Sequence, residues 1–171
     1  MDIPKVPDYL DRTMPKGYWL AKSEPESYSI ADLERDGRTA WEGVRNYMAR
    51  NYLRAMKAGD LVLFYHSNAD PSGVAGVAKV SRAAYPDKTA LDSDSKYHDP
   101  KATADDLRWS VVDLAFVEAF ADVLPLEVLK DDPGLVGMEV TRRGSRLSVS
   151  PVSATQFARV KKLARSKRRR R

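Results

Sequence analysis

The chain has 171 residues, 43% hydrophobic and 31% charged, which suits one soluble globular domain with a sizeable core. It has no Cys, so disulfides, thiolate metal sites and Cys nucleophiles are excluded, and no apolar run reaches the length of a membrane span. Of 29 basic residues, six (Arg165, Lys167, Arg168, Arg169, Arg170 and Arg171) lie at the end, leaving 23 against 24 acidic ones, so the net +5 is a tail charge over a near-neutral body. A generally basic nucleic-acid surface is not indicated, and any binding by the body must use a local patch.

Residues 1–16 hold Pro4, Pro7 and Pro15 with Asp2, Asp8 and Asp11 and lack the apolar stretch of a secretory signal, so they read as an N-terminal arm. Gly17 to Lys22 reads as a short strand, broken at Ser23-Glu24-Pro25. Ser29 and Asp32 have capping-box spacing and start a short helix that Gly37 closes; Thr39 to Trp41 is extended. Asn46 is placed to cap a second helix, with Ala49, Leu53 and Met56 as its buried stripe, Arg50, Arg54 and Lys57 as a basic stripe, and Gly59 as its end. Leu61 to His66 is a near-continuous apolar run, expected to be a strand buried on both faces. A polar turn to Gly73 and a strand over Val74 to Ala84 complete a hairpin, in which Gly73 and Gly76 signal a bulge or close backbone approach. Tyr85 to Asp106 is a long polar loop, and length of that kind inside a compact domain points to function or disorder. Arg108 to Val117 returns to strand, Pro125 to Lys130 is a short helix, and Arg143-Gly144-Ser145 reads as a hairpin turn between Met138–Arg142 and Arg146–Ser150. Ser153 and Gln156 form a second capping box before the last helix. Many strands with a few short helices and no strand–helix alternation favour an α+β domain with a strongly bent or closed sheet. Residues 165–171 are expected to be a basic, disordered tail.

Most catalytic chemistry finds no motif here. Walker A, Gly-x-Gly-x-x-Gly and Gly-x-Ser-x-Gly sequences are absent. Asp92-Ser93-Asp94-Ser95-Lys96-Tyr97 starts like a calcium loop but has Tyr97 where Gly is required. Two His cannot build a zinc site without carboxylates, and His98-Asp99 beside Asp94 is a weak candidate for one, so the expectation is no metal and no cofactor. Glu24, Glu42, Asp99 and His66 could each move a proton, yet nothing singles out a pair.

Recognition of a planar base fits better. Trp41 to Arg45 places a π-face beside a Gly and an Arg, with Asn46 next; these either stack on a base and bond its edge, or are a buried Trp, a bend and a solvated Arg. Polar groups recur at strand ends and helix starts: Lys22-Ser23-Glu24, Arg45-Asn46, His66-Ser67-Asn68 and Tyr97-His98-Asp99, with Trp19, Trp41, Tyr97 and Trp109 available to stack.

Taken together, Tyr18-Trp19-Leu20 with Lys22-Ser23-Glu24-Pro25, Trp41 to Asn51, Gly59-Asp60 with Phe64 to Asn68, Ala84 to Asp87, Tyr97 to Lys101, Arg108-Trp109, and Arg146 to Val149 with Pro151-Val152 resemble the EVE domain. The resemblance runs from about Tyr18 to Val160, with the domain set at residues 17–164. It implies a PUA-like fold: a bent β-barrel of about five to seven mostly antiparallel strands with flanking short helices. It also implies a non-enzymatic, monomeric reader of modified bases in DNA or RNA, modified cytosine above all, cytoplasmic in a bacterium and nuclear in a eukaryote. An enzyme acting on a modified nucleoside or base, and a small-molecule or protein-binding module, are the alternatives. Carried over by motif, Lys22, Ser23 and Glu24 line the pocket after the first strand, Trp41, Arg45 and Asn46 form a second wall, and His66, Ser67 and Asn68 close it. Tyr97, Asp99 and Pro100 come from the long loop, Trp109 sits near the mouth, and Arg45 and Arg50 contact phosphate. The chain departs from the family's usual pattern at Met48 (for Gln), His98 (for Tyr) and Ser72 (for Pro). A thioether accepts poorly and donates nothing, so Met48 would alter any base-edge reading made by that Gln.

Overall fold

The computed structural model describes residues 17–169. It holds strands β1 (Tyr18–Ser23), β2 (Arg38–Trp41), β3 (Leu61–His66), β4 (Gly73–Pro86), β5 (Ser110–Pro125) and β6 (Val149–Val152). The helices are α1 (Ile30–Asp36), α2 (Tyr47–Ala55), α3 (Leu126–Asp131) and α4 (Ala154–Arg169). The strands make one six-stranded sheet in the order β2-β5-β4-β3-β1-β6. Strands β2 and β6 are its edges, so the α+β class and strand number are as expected while the hydrogen-bond ladder does not close into a barrel.

One pairing sets the position of the site. Strands β1 and β3 are parallel, with Ser23 opposite His66, whereas the other pairs are antiparallel. A parallel pair needs a crossover. Residues 24–60 supply it, and they carry α1, β2 and α2. The long β4–β5 pair slips register at four places, each of which bends and twists the ladder. One slip is at Gly76, where a Cβ would stand 2.9 Å from Ile30 Cγ1 and collide with the Glu118 carbonyl.

The central strands are buried on both faces, as the apolar run in β3 implies. Alternate residues feed two cores: Ala21 and Phe64 join Leu33, Leu53 and Leu114 on one face, while Leu20, Leu63 and Tyr65 join Leu124, Leu129 and Val160 on the other. Helix α4 closes the second core through Tyr18 against Phe157 (4.7 Å between centroids), an Arg159–Asp132 ion pair at 2.6 Å and a Lys161–Glu118 pair.

Local signals hold where a side chain meets a nearby amide. Ser29 Oγ accepts from Asp32 N and Asp32 returns the bond, Gly37 caps the end of α1, and Ser153 and Gln156 exchange the same pair of bonds before α4. Three expectations fail. Helix α2 ends at Ala55 with Met56 extended, and Gly59 (φ +93°) instead serves the turn into β3, its N–H donating to the Val80 carbonyl at 2.8 Å. No hairpin spans 138–150: Glu139–Thr141 is a 3₁₀ turn, and β6 pairs with β1 because that edge offers a full ladder. Of the expected tail, residues 165–169 continue α4 as helix, and Arg170 and Arg171 lie outside the described residues. The expected arm, residues 1–16, lies outside the described residues.

Candidate functional site

A cleft of about 610 Å³ opens where β1 ends and the crossover begins. Its floor and walls come from Lys22, Ser23 and Glu24, from Tyr28 before α1, from Thr39 to Arg45 along β2 and its exit, and from Lys96 and Tyr97. Ser148 closes one side, brought there by the Lys22 N–H donating to its carbonyl at 2.8 Å. Small-ligand clefts run to roughly 300–1,000 Å³, and they combine apolar or aromatic walls with a few fixed polar groups. The lining here has that mixture.

Each wall has a local cause. Ser23 is turned inward by its hydroxyl donating to the Tyr28 carbonyl at 2.6 Å, which also fixes Tyr28 at the start of α1. The β2 exit is held by Asp87, only 1% exposed, whose carboxylate accepts from the Gly43 N–H (2.9 Å), the Thr89 N–H (3.0 Å) and Arg45 Nη1 (2.9 Å). Burial pushes the Asp87 carboxyl up, but the Gly43 amide, Thr89 and Arg45 outweigh that and hold it below the usual carboxylate range. Arg45 has all five N–H donors committed: Nε to the Tyr97 carbonyl, Nη1 to the Val44 carbonyl and Asp87, and Nη2 to Thr89 Oγ1 and again to the Tyr97 carbonyl. The Tyr97 ring then lies against Gly43, where no Cβ obstructs it.

The charges of the cleft are environment-tuned. Burial lowers the Lys22 ammonium from its ordinary value against a smaller opposing pull from Glu139, and its Nζ lies 5.8 Å above the Tyr65 ring. Burial, then Asp87, raises the Glu42 carboxyl, opposed by Arg45 and Lys96. The site thus offers one partly desolvated amine, hydroxyls, two carboxylates and three aromatic side chains, which is chemistry for holding a planar, polar-edged ring.

Six expected site residues meet in this cleft: Lys22, Ser23, Glu24, Trp41, Arg45 and Tyr97. Trp41 reaches it from the core, 9% exposed and edge-on to Phe64 at 5.5 Å. The others stand behind or beside it. Asn46 caps α2, its Oδ1 accepting from the Ala49 N–H at 3.0 Å. His66 is buried, and its Nε2 accepts from the Ile30 N–H at 3.1 Å at the start of α1. Ser67 donates its amide to the Ser23 carbonyl at 3.0 Å, and Asn68 turns the chain with φ +51°. Asp99 accepts from Trp109 Nε1 at 2.7 Å, and Pro100 follows, exposed. Trp109 is covered by Tyr47, stacked at 4.9 Å. Arg50 lies over the Tyr47 ring at 4.7 Å and donates to the Arg108 carbonyl at 3.0 Å, a carbonyl that Arg54 also reaches at 3.2 Å. Met48 stands 53% exposed in the first turn of α2.

Sequence reasoning passed over Tyr28, Thr39, Glu42, Gly43, Lys96 and Ser148 as lining residues. Glu42 and Gly43 sit inside the stretch already singled out, and the Ser29 cap placed Tyr28 at a helix start. Ser148 lies within the Arg146–Val149 motif, but nothing in that motif places it at the cleft, because its position depends on β6 pairing with β1. Among the described residues no cluster of three or more His, Asp or Glu is placed to hold a metal ion, and no helix is long and apolar enough to cross a membrane.

Residues 17–163 match the model of the EVE domain family. Thymocyte nuclear protein 1 of Mus musculus is 41% identical over 159 residues, covering 82% of this chain and 70% of the mouse protein. A crystal structure of a Pseudomonas putida protein is 54% identical with a TM-score of 0.85, covering 86% of this chain and 99% of that one. Human THYN1, crystallised in complex with DNA containing 5-methylcytosine, is 39% identical with a TM-score of 0.82, covering 87% of this chain and 98% of that one.

Proposed function

This chain belongs to the EVE domain family, and from that premise we propose that it reads a modified base in nucleic acid, modified cytosine in DNA first among candidates. One extruded base enters the cleft, stacks between aromatic side chains and is bonded along its edge. Tyr28, Trp41 and Tyr97 supply the π-faces; Lys22, Ser23, Glu24 and Glu42 supply donors and acceptors. Binding proceeds without turnover and needs one copy of the chain. The observation that carries this reading is the complex of human THYN1 with 5-methylcytosine DNA, in a domain that this chain matches along 87% of its length. The aromatic and polar cleft at the β1 end supports it independently. Asn46, His66, Ser67, Asp99, Trp109 and Arg50 hold the walls through the bonds and ring contacts they make within the protein.

The test is titration of the full chain against matched oligonucleotides, with and without 5-methylcytosine, single- and double-stranded, at two salt concentrations. The expected preference for the modified strand is roughly five- to 150-fold, the ~1–3 kcal/mol scale of a good base contact. Equal affinity for modified and unmodified strands, varying only with salt, would leave phosphate attraction as the sole source of binding and overturn the reading.

A further inference from the structure

We propose that Arg45 is a positioning residue that seats Tyr97 as the outer wall of the cleft and binds no phosphate; this rests on the base-reading function above. An Arg beside a nucleic-acid cleft is ordinarily assigned to the backbone. Here the guanidinium is fully committed. Two of its five bonds reach the same acceptor, the Tyr97 carbonyl, at 3.0 and 2.6 Å from Nε and Nη2. Two more go to Asp87 (2.9 Å) and Thr89 Oγ1 (3.1 Å), and the fifth to the Val44 carbonyl (3.0 Å). A phosphate could be bound only by breaking one of these, and the Asp87 carboxylate already offsets the charge.

The bonds join two segments far apart in sequence. Arg45 lies at the exit of β2, and Tyr97 lies in the long segment between β4 and β5, 52 positions on. Asp87 grips both Arg45 and the Gly43 amide, so the two sides close on one buried carboxylate. With the carbonyl fixed by Arg45, the Tyr97 ring is pressed onto Gly43; Arg45 Cζ and Lys96 Nζ stand 5.9 and 5.0 Å from its centroid. A fork of donors in one plane does this. A Lys ammonium has three donors on a single nitrogen and cannot span Tyr97, Asp87 and Thr89 together.

The experiment compares Arg45→Lys, Arg45→Gln and Thr89→Val in the full chain. Affinity for a 5-methylcytosine oligonucleotide and its unmodified match is measured across salt, and amide hydrogen exchange is followed over residues 88–99. The expected result is that Lys damages as much as Gln. Preference for the modified base falls about tenfold, the scale of one lost stacking contact, while the slope of log K against log salt stays at the wild-type value. Exchange at the His98 and Asp99 amides speeds up in both, and Thr89→Val moves the same way by less. A phosphate role predicts the opposite: Lys retains binding as a point charge, and Gln lowers the slope by about 0.7–0.9 with the preference kept. That result, or unchanged exchange in all three variants, overturns the proposal. If the wild-type chain shows no preference for the modified strand, the base-reading function fails, and the exchange rates alone decide whether Arg45 seats Tyr97.

Discussion

Replacing Gly43 with Ala tests the closeness of the Tyr97 wall directly. Gly43 has φ +86°, a left-handed conformation that costs an L-residue about 1–2 kcal/mol. Its Cβ would also stand 2.6 Å from Cδ1 and Cζ of Tyr97, about 1 Å inside the ordinary separation of carbon atoms. The ring must retreat by about that distance. Gly137 supplies the control: φ is +89°, yet nothing lies within 4 Å of its Cβ position, so Gly137→Ala carries the conformational cost alone. Urea unfolding followed by Trp fluorescence should lower the midpoint in both variants, by about 0.5–1 M for Gly137→Ala and further for Gly43→Ala. Only Gly43→Ala should weaken binding of the modified oligonucleotide. The loss expected is up to the ~1–3 kcal/mol of one stacking surface, roughly five- to 150-fold. Equal binding by the two variants would refute the reasoning, because it would mean that the Tyr97 ring can withdraw from Gly43 without cost to the ligand.

The chain's stability should also report on His66. A neutral imidazole accepts from the Ile30 N–H, and burial holds the group below its ordinary value of 6.5, so the stabilisation is full above about pH 6.5 and is lost as pH falls toward the folded-state value. Unfolding free energy measured between pH 8 and 5 should fall below about pH 6.5 by up to ~1.4 kcal/mol per unit, and the drop should shrink in His66→Gln; identical pH profiles would remove His66 from this role. Trp41→Ala should cost about 3–5 kcal/mol of stability, because the ring is core as well as wall, so a midpoint close to wild type would contradict its packing on Phe64. Trp41→Phe is the variant in which a change of affinity reports on stacking.

How far the residues alone spoke depends on the range of each interaction. Caps were legible because donor and acceptor sit three positions apart: Ser29 with Asp32, Asn46 with Ala49, Ser153 with Gln156. The burial of β3 was legible because an unbroken apolar run has no wet face. Partner choice was not. Nothing local says that β1 runs parallel to β3 or that β6 returns to β1, and with β6 misplaced Ser148 was lost from the cleft. The mixture of groups in the Trp41–Arg45 stretch was legible, but the destination of its guanidinium lies 42–52 positions away in Asp87 and Tyr97. His66 shows the same limit: a polar residue at a strand end looked available to a ligand, while its partner is the Ile30 amide 36 positions earlier.

The crossover between β1 and β3 has a consequence for how specificity can change. Residues 24–60 run from one central strand to its neighbour, pairing with β5 on the way as edge strand β2, and they carry Tyr28, Trp41, Glu42, Gly43 and Arg45. Most of the cleft lining is therefore one contiguous stretch of sequence, and the same stretch supplies Leu33, Trp41 and Leu53 to the first core. A substitution in that stretch can thus change the cleft and the core together, and the side chains freest to vary are those, such as the exposed Glu42, that line the cleft and stay out of the core.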